Sequence, residues 1–330
     1  NSKDIFFYSL FCSYSLGVPI IVEATASVLG HTVLLTTTLR RFSTLNATEI
    51  LYINLSLSDL LAVIFMYPLS IVSALNHGWM GGDWTCSYYG FLGFLHAGAS
   101  IMTLTFLALV RCIIVFNASN ARKWFTRRNI FIIIIILIWT HSLLWSLMPL
   151  CGWGKYGPEP SGISCMLAWA ELREASGLSY LFSIFAVMLV IPAVIIFSCY
   201  TCITVRLHCQ YKRMESHRRM SRRGTRVITV LMSAGFLVAW TPYAAVSFWS
   251  IFYPTSPVPP VVSLLPALFA KTATAYNPVI ILYLNSHSSS HFRSDAKKLV
   301  TNIRLGKLNV VNLSSKENTG TSTLQPSGAP

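Results

Sequence analysis

Lys271 stands in the run AKTATAYNP, Ala270 to Pro278, inside an apolar stretch that extends from about Pro260 to Leu284. About twelve residues from one end of that stretch, at about 1.5 Å of rise per residue, a helical lysine lies roughly 18 Å deep. In a bilayer a central lysine costs about 2.5–3.5 kcal/mol on insertion scales, so it must face other helices and have a partner or a chemical use. One use is structural, as half of a buried ion pair. The other is nucleophilic: a desolvated amine gives up its proton readily and condenses with an aldehyde to a Schiff base. Two carboxyl residues, Glu23 and Asp59, also fall in apolar runs and raise the same question. No catalytic triad, metal cluster or phosphate loop in the sequence competes with these groups.

The elements that carry them are membrane spans. The 330 residues are 54% hydrophobic and 11% charged, with mean hydropathy +0.58, which excludes a soluble globular domain. Apolar runs long enough to cross a bilayer lie near 19–39, 50–74, 87–116, 130–150, 178–206, 225–252 and 259–284. The expected fold is therefore an all-α membrane protein, a seven-transmembrane helix bundle. The remaining domains expected are an extracellular segment over 1–18, a membrane-surface region with a short amphipathic eighth helix over 285–308, and a disordered cytosolic tail over 309–330. The first residue is Asn and not Met, as expected of a processed or trimmed chain.

Charge gives the orientation. Of the 25 Lys and Arg, only Lys3, Lys155 and Arg173 fall on one side of the alternating spans, while the connections after spans one, three, five and seven are basic. The positive-inside rule places the N-terminus outside and the C-terminus in the cytosol. The net charge of +14 is then a cytosolic surface for anionic lipid or an acidic partner, and not a nucleic-acid footprint. On this topology Cys86 and Cys165 share the oxidising side and are expected to pair, strapping the loop CGWGKYGPEPSGISC across the bundle mouth. The sequons at Asn46, Asn54, Asn117 and Asn312 fall in membrane or cytosolic positions and should carry no glycan.

The segment FAKTATAYNPVI resembles the seventh helix of the opsins, in which the lysine carries retinal. The likeness to rhodopsin-like receptors extends from about residue 19 to 284. Its carriers are NLSLSDLLA with Asn54 and Asp59, Cys86 with Arg111 beyond it, Trp139, Pro192 with Tyr200, AWTPYA with Trp240 and Pro242, and Asn277-Pro278. MPLCGWGKYGPEPSGISC and GFLVAWTPYAAVSFWS are most similar to the neuropsin group. The resemblance implies retinal on Lys271, an integral plasma-membrane receptor, a heterotrimeric G protein as partner, and arrestin and a receptor kinase acting on the Ser/Thr-containing tail.

A charged Schiff base in an apolar bundle requires a countercharge. In vertebrate visual pigments this is a carboxylate three residues after the helix-three cysteine, but here that residue is Tyr89. The alternative opsin site, six residues before the second cysteine, is Glu159, which becomes the expected counterion; Glu23 in span one is the competing candidate. Phe236, Trp240 and Tyr243, at spacings of four and three, share one face of span six. By resemblance they form the chromophore wall, with Tyr89, Phe94 and Phe185 opposite, and Pro242 kinks the helix. Asp59, Asn54 and Asn277 form the family's polar switching centre, where sodium or water commonly sits; Arg111 and Pro278 belong to the same switch.

The cytosolic face departs from the family pattern. The triplet closing span three is Val110-Arg111-Cys112, without the usual acidic residue; Arg222 stands where span six carries an acidic partner; Ile281 replaces the tyrosine after Asn277-Pro278; His31 replaces the helix-one asparagine. The segment HFR starts late after Asn277-Pro278, and no cysteine follows it for lipidation. The leading expectation is a non-enzymatic, light-switched G-protein-coupled receptor. A retinal-binding photoisomerase or weakly signalling opsin is the alternative, and a receptor for a diffusible ligand the third reading.

Overall fold

The computed structural model describes residues 2–40, 45–117, 125–126, 129–159, 162–168, 174–210, 216–253 and 260–288, with side chains outside the described set at 2–16, 130–132, 207–229 and several positions of 247–267 and 283–288. The tail, the expected eighth helix and Asn312 lie outside the described residues.

The apolar runs all become helices. The first is α1, Ser2–Leu39, whose candidate membrane span is Gly17–Leu39. Its helical backbone thus begins well before residue 19, inside the stretch read from sequence as an extracellular segment. The second span is two helices, α2 (Ala47–Phe65) and α3 (Tyr67–Leu75), broken at Met66 because Pro68 sits in the first turn of α3 and cannot continue the hydrogen-bond ladder. Asn46 caps α2: its side chain accepts from Glu49 N at 3.0 Å while Glu49 accepts from Asn46 N at 2.9 Å. The third span is α4, Asp83–Phe116.

Span four opens with a π-helical turn, Ile130–Ile135, and continues as α5, Ile136–Leu147. Span five is α6 (Ala175–Phe185), a π-helical turn (Ala186–Val190) and α7 (Ile191–Gln210). Span six is α8, Ser216–Phe252, with Pro242 inside it, and span seven is α9, Pro260–Ser288. Between spans four and five lies a hairpin of β1 (Tyr156–Pro158) and β2 (Cys165–Leu167), paired antiparallel with Pro158 opposite Cys165.

α4 is the central post. It packs against α2, α5, α7 and the hairpin, while α9 lies between α1 and α8. The core it organises includes Leu51, Leu55, Leu104, Leu107, Ile138, Met232 and Ile281. Val22, Leu29, Ile64, Ile136, Val194 and Phe197 point outward with much of their surface uncovered. Apolar side chains on the outside and polar ones within are the inverse of a water-soluble bundle, and fit a hydrocarbon surround. Among the described residues, five helical segments are long and apolar enough to cross a membrane.

Candidate functional site

A disulfide and a close seat bring the hairpin onto the bundle. Cys86, in the first turn of α4, is disulfide-bonded to Cys165 of β2, as the shared oxidising side implied. Two glycines of α4 then allow close approach. A Cβ at Gly90 would stand 2.6 Å from the Tyr156 ring, and one at Gly93 would stand 3.0 Å from Met166 Sδ, so the strands lie directly on the α4 backbone. The loop after β1 is tied by Glu159 N to Ser164 O at 2.9 Å and Gly162 N to Glu159 O at 2.8 Å. Glu159 is consequently 5% exposed, with Ser164 Oγ donating to its Oε2.

Beneath that lid lies a cavity of about 50 Å³ lined by Lys271, Glu159, Tyr89, Trp240, Tyr243 and His96, among others. Lys271 Nζ stands over the Tyr89 ring, 5.8 Å from its centroid, and within electrostatic reach of Tyr89, Glu159 and Glu23. Tyr89 is buried, its hydroxyl shared with Ser70 Oγ and its ring edge-on to Trp79 at 5.3 Å. Burial pushes the Glu159 carboxyl above the usual carboxylate range, while the Ser164 hydroxyl and then the Lys271 charge pull it back. Glu23 is only partly buried and does not line the cavity, although its Oε2 is enclosed without a hydrogen-bond partner.

A second, apolar cavity of about 100 Å³ adjoins the first, sharing Trp240 and Tyr243 as walls. Phe94, Phe185 and Phe236 line it, together with Met188 and Phe248. Phe236 stacks on Trp240 at 5.7 Å, and Trp240 meets Tyr243 edge-on at 6.0 Å. Each of the six aromatic residues expected from sequence therefore borders one or both cavities. A buried amine, a carboxylate over it and an aromatic slot leading away form a donor set and shape that fit a long apolar aldehyde.

Below the cavities is the polar centre. Asp59 accepts from His96 Nε2 at 2.8 Å and from Asn277 Nδ2 at 2.9 Å, with His31 Nε2 at 3.2 Å. Asn54 is tied separately, to Thr103 Oγ1 at 2.8 Å and by Trp139 Nε1 at 2.9 Å. α1 touches α9 where a Cβ at Gly30 would stand 2.7 Å from Pro278 Cγ. Further from the hairpin along α4, Arg111 is buried and donates to Tyr52 Oη, its guanidinium 5.9 Å from the Tyr52 ring. The acidic neighbour missing at Val110 is thus replaced by a phenol on α2. Arg222 lies in α8 with its side chain outside the described set.

Sequence reasoning missed His96, Ser164, Tyr52 and Tyr67, whose hydroxyl donates to the Lys271 carbonyl at 2.9 Å. His96 carried a signal, since an ionisable group in an apolar span asks for a role. The other three hydroxyl residues look ordinary in sequence and acquire roles only through tertiary contact.

A seven-helix membrane bundle with a buried amine beneath a disulfide-pinned hairpin defines a receptor of the rhodopsin type. The chain belongs to the opsins of the 7 transmembrane receptor (rhodopsin family), whose model matches residues 30–281. It is 33% identical over 302 residues to Opsin-5 of Mus musculus, covering 88% of this chain and 79% of that protein, in keeping with its neuropsin-like segments. It is 32% identical over 242 residues to the visual pigment-like receptor peropsin of Homo sapiens, covering 72% of this chain and 71% of the other. Its fold matches the crystal structure of squid rhodopsin with a TM-score of 0.77 and 26% sequence identity, over 88% and 86% of the two chains.

Proposed function

We propose that this receptor senses light through retinal held covalently at Lys271, and reports to a heterotrimeric G protein on the cytosolic side. The observation that carries this reading is the buried Lys271 amine facing Glu159 at the mouth of an aromatic slot. Retinal bound there as a Schiff base would supply light absorption and a change of shape.

The chain's own residues do the rest. Lys271 Nζ provides the attachment, and the hairpin with its disulfide covers the site and keeps bulk water from it. Glu159 supplies the negative charge that holds a proton at the Lys271 nitrogen, with Glu23 the competing carboxylate. Tyr89 presents a ring and a hydroxyl in place of the helix-three carboxylate. Trp240 and Tyr243 border both cavities and flank the Pro242 turn of α8, where the helix lacks one ladder hydrogen bond, so a change of shape in the slot presses on that turn. Residues 19–284 are the light-sensing domain, placed in the plasma membrane with the N-terminus outside. The cytosolic region beyond it offers arrestin and kinase sites.

Reconstitution with retinaldehyde should give an absorbance band that light shifts and hydroxylamine removes. Borohydride reduction followed by peptide mapping should place the adduct on Lys271. A covalent adduct persisting in Lys271→Ala would end this reading. The altered switch residues Val110 and Ile281 favour a second one, a retinal photoisomerase with weak signalling; strong light-driven nucleotide exchange would rule against it.

A further inference from the structure

Three N–H groups from three helices converge on one carboxylate in the interior of the bundle. Asp59 has no exposed surface. Its Oδ1 accepts from His96 of α4, and its Oδ2 from Asn277 of α9 and His31 of α1. A buried carboxylate in a membrane protein requires a countercharge or a proton. Among the described residues no lysine or arginine pairs with Asp59, and a proton on the carboxyl itself would point into N–H groups that already face both oxygens, so the charge comes from an imidazole or from an ion of the medium.

The donor pattern decides against the ion. A hard cation takes several oxygen ligands, and both Asp59 oxygens already face N–H groups. Ser100 Oγ is 3.4 Å from His96 Nε2 and not from Asp59, and Asn277 Oδ1 is buried without a partner. Donors line the place where a cation would need acceptors.

The two imidazoles are not equivalent. His31 is fully buried, and its Nε2 faces two acceptors, Asp59 and the Thr274 carbonyl at 3.1 Å, so that nitrogen carries the hydrogen. Its Nδ1 is buried with no partner. A second proton there would be an unpaired buried N–H, at a cost of about 1–3 kcal/mol or more for a charged ring. His96 has the shorter bond to Asp59, keeps 11% of its side chain exposed, and lines both the Lys271 cavity and a groove between spans two, three and four.

We propose that the Asp59 centre is a proton-binding site, in which His96 carries as imidazolium the proton that neutralises Asp59 and takes the place of an alkali cation. Facing this pair are His31 from α1, Tyr67 from α3 and Tyr276 from α9. Across the cavity His96 also faces Tyr89, Glu159, Tyr243 and Lys271. The Lys271 charge opposes a second positive charge, but Glu159 and Glu23 flank it, and Asp59 is in direct contact with His96. Loss of the proton would leave an uncompensated carboxylate where α1, α2, α4 and α9 meet, loosening the helix that carries Lys271. Proton occupancy at His96 therefore biases the switch.

The test uses the full chain without retinal, so its outcome is independent of the light-sensing reading. In ¹⁵N-histidine NMR at neutral pH the protein should show an imidazolium with both ring nitrogens protonated, absent from His96→Asn, while His31 remains singly protonated. Replacing N-methylglucamine chloride by sodium chloride at equal ionic strength should leave the wild-type Tm unchanged, since an ion bound to the folded state would raise it by mass action. If His96→Asn does not fold, the sodium comparison and the wild-type spectrum still decide. A Tm that climbs with sodium, or a spectrum in which no buried histidine is an imidazolium, overturns the proposal.

Discussion

Burial pushes the Glu159 carboxyl up from its ordinary 4.5, so the folded chain binds a proton there more tightly than the unfolded chain does. By linkage, the stability this confers is greatest at acid pH and declines as pH rises from about 4.5 through the higher folded value. Glu159→Gln should flatten that part of the Tm–pH profile of the retinal-free protein, and an unchanged profile would show that Glu159 is not the titrating group. In the retinal-loaded protein the same substitution should move a visible band toward the ultraviolet at neutral pH, because removing a nearby negative charge disfavours the protonated nitrogen. A pigment indifferent to Glu159→Gln but shifted by Glu23→Gln would hand the counterion role to Glu23. Lys271, Asp59 and the Cys86–Cys165 pair stand out in the sequence because charges in apolar spans are costly and paired cysteines chemically committed, whereas Glu159, a loop carboxylate, stood out only by resemblance to the opsins. His96 carried the same kind of signal as Lys271 and was passed over, while Tyr52 carried none, since its meaning lies in a partner 59 residues away.

The hairpin depends on what α4 omits as much as on the disulfide. Gly90→Ala would put a methyl group 2.6 Å from Tyr156 and displace β1, an overpacking cost of about 1–3 kcal/mol. Its Tm should fall by several degrees, and hydroxylamine should reach the loaded site faster in the dark. Gly78→Ala, which meets nothing within 4 Å, is the matched control. Equal behaviour of the two variants would mean that the strands do not need the close seat. Helix positions were readable from apolar runs, and a proline inside α8 from Pro242. The break at Met66 has a cause visible in the sequence, Pro68, whereas the π-helical turns at Ile130–Ile135 and Ala186–Val190 do not, because an extra residue in a helical ladder leaves the apolar run intact. The two short strands were equally hidden, their pairing being fixed by the disulfide and by α4 and not by their own three-residue length.

Across the whole molecule, buried polar contacts lie at three depths of the bundle: Lys271 under the hairpin, Asp59 at the centre, and Arg111 near the end of α4 far from the hairpin. The sequence pattern alone pointed to a slack cytosolic end, since Val110, Arg222 and Ile281 remove familiar restraints. The fold supplies one that the pattern did not contain, Arg111 held by Tyr52, and it fills the space of another, since Ile281 is fully buried in the core beside α4. Ile281→Tyr must therefore overpack that core, at about 1–3 kcal/mol, before its hydroxyl can help any active arrangement. Tyr52→Phe is the cleaner probe, keeping the ring and removing only the acceptor. A hydrogen bond to a charged group contributes about 1.5–3 kcal/mol, and 1.4 kcal/mol is a tenfold change in an equilibrium. If Arg111 must leave Tyr52 to meet a cytosolic partner, Tyr52→Phe should raise dark nucleotide exchange roughly tenfold while the active fraction is small, with little change in the light-driven maximum. Val110→Glu should act in the opposite sense, giving Arg111 a second, ionic partner and lowering dark exchange, provided retinal loading matches the wild type. Dark exchange that is low and unmoved by either substitution would show that Arg111 is not the restraint, and would shift attention to the Asp59 centre.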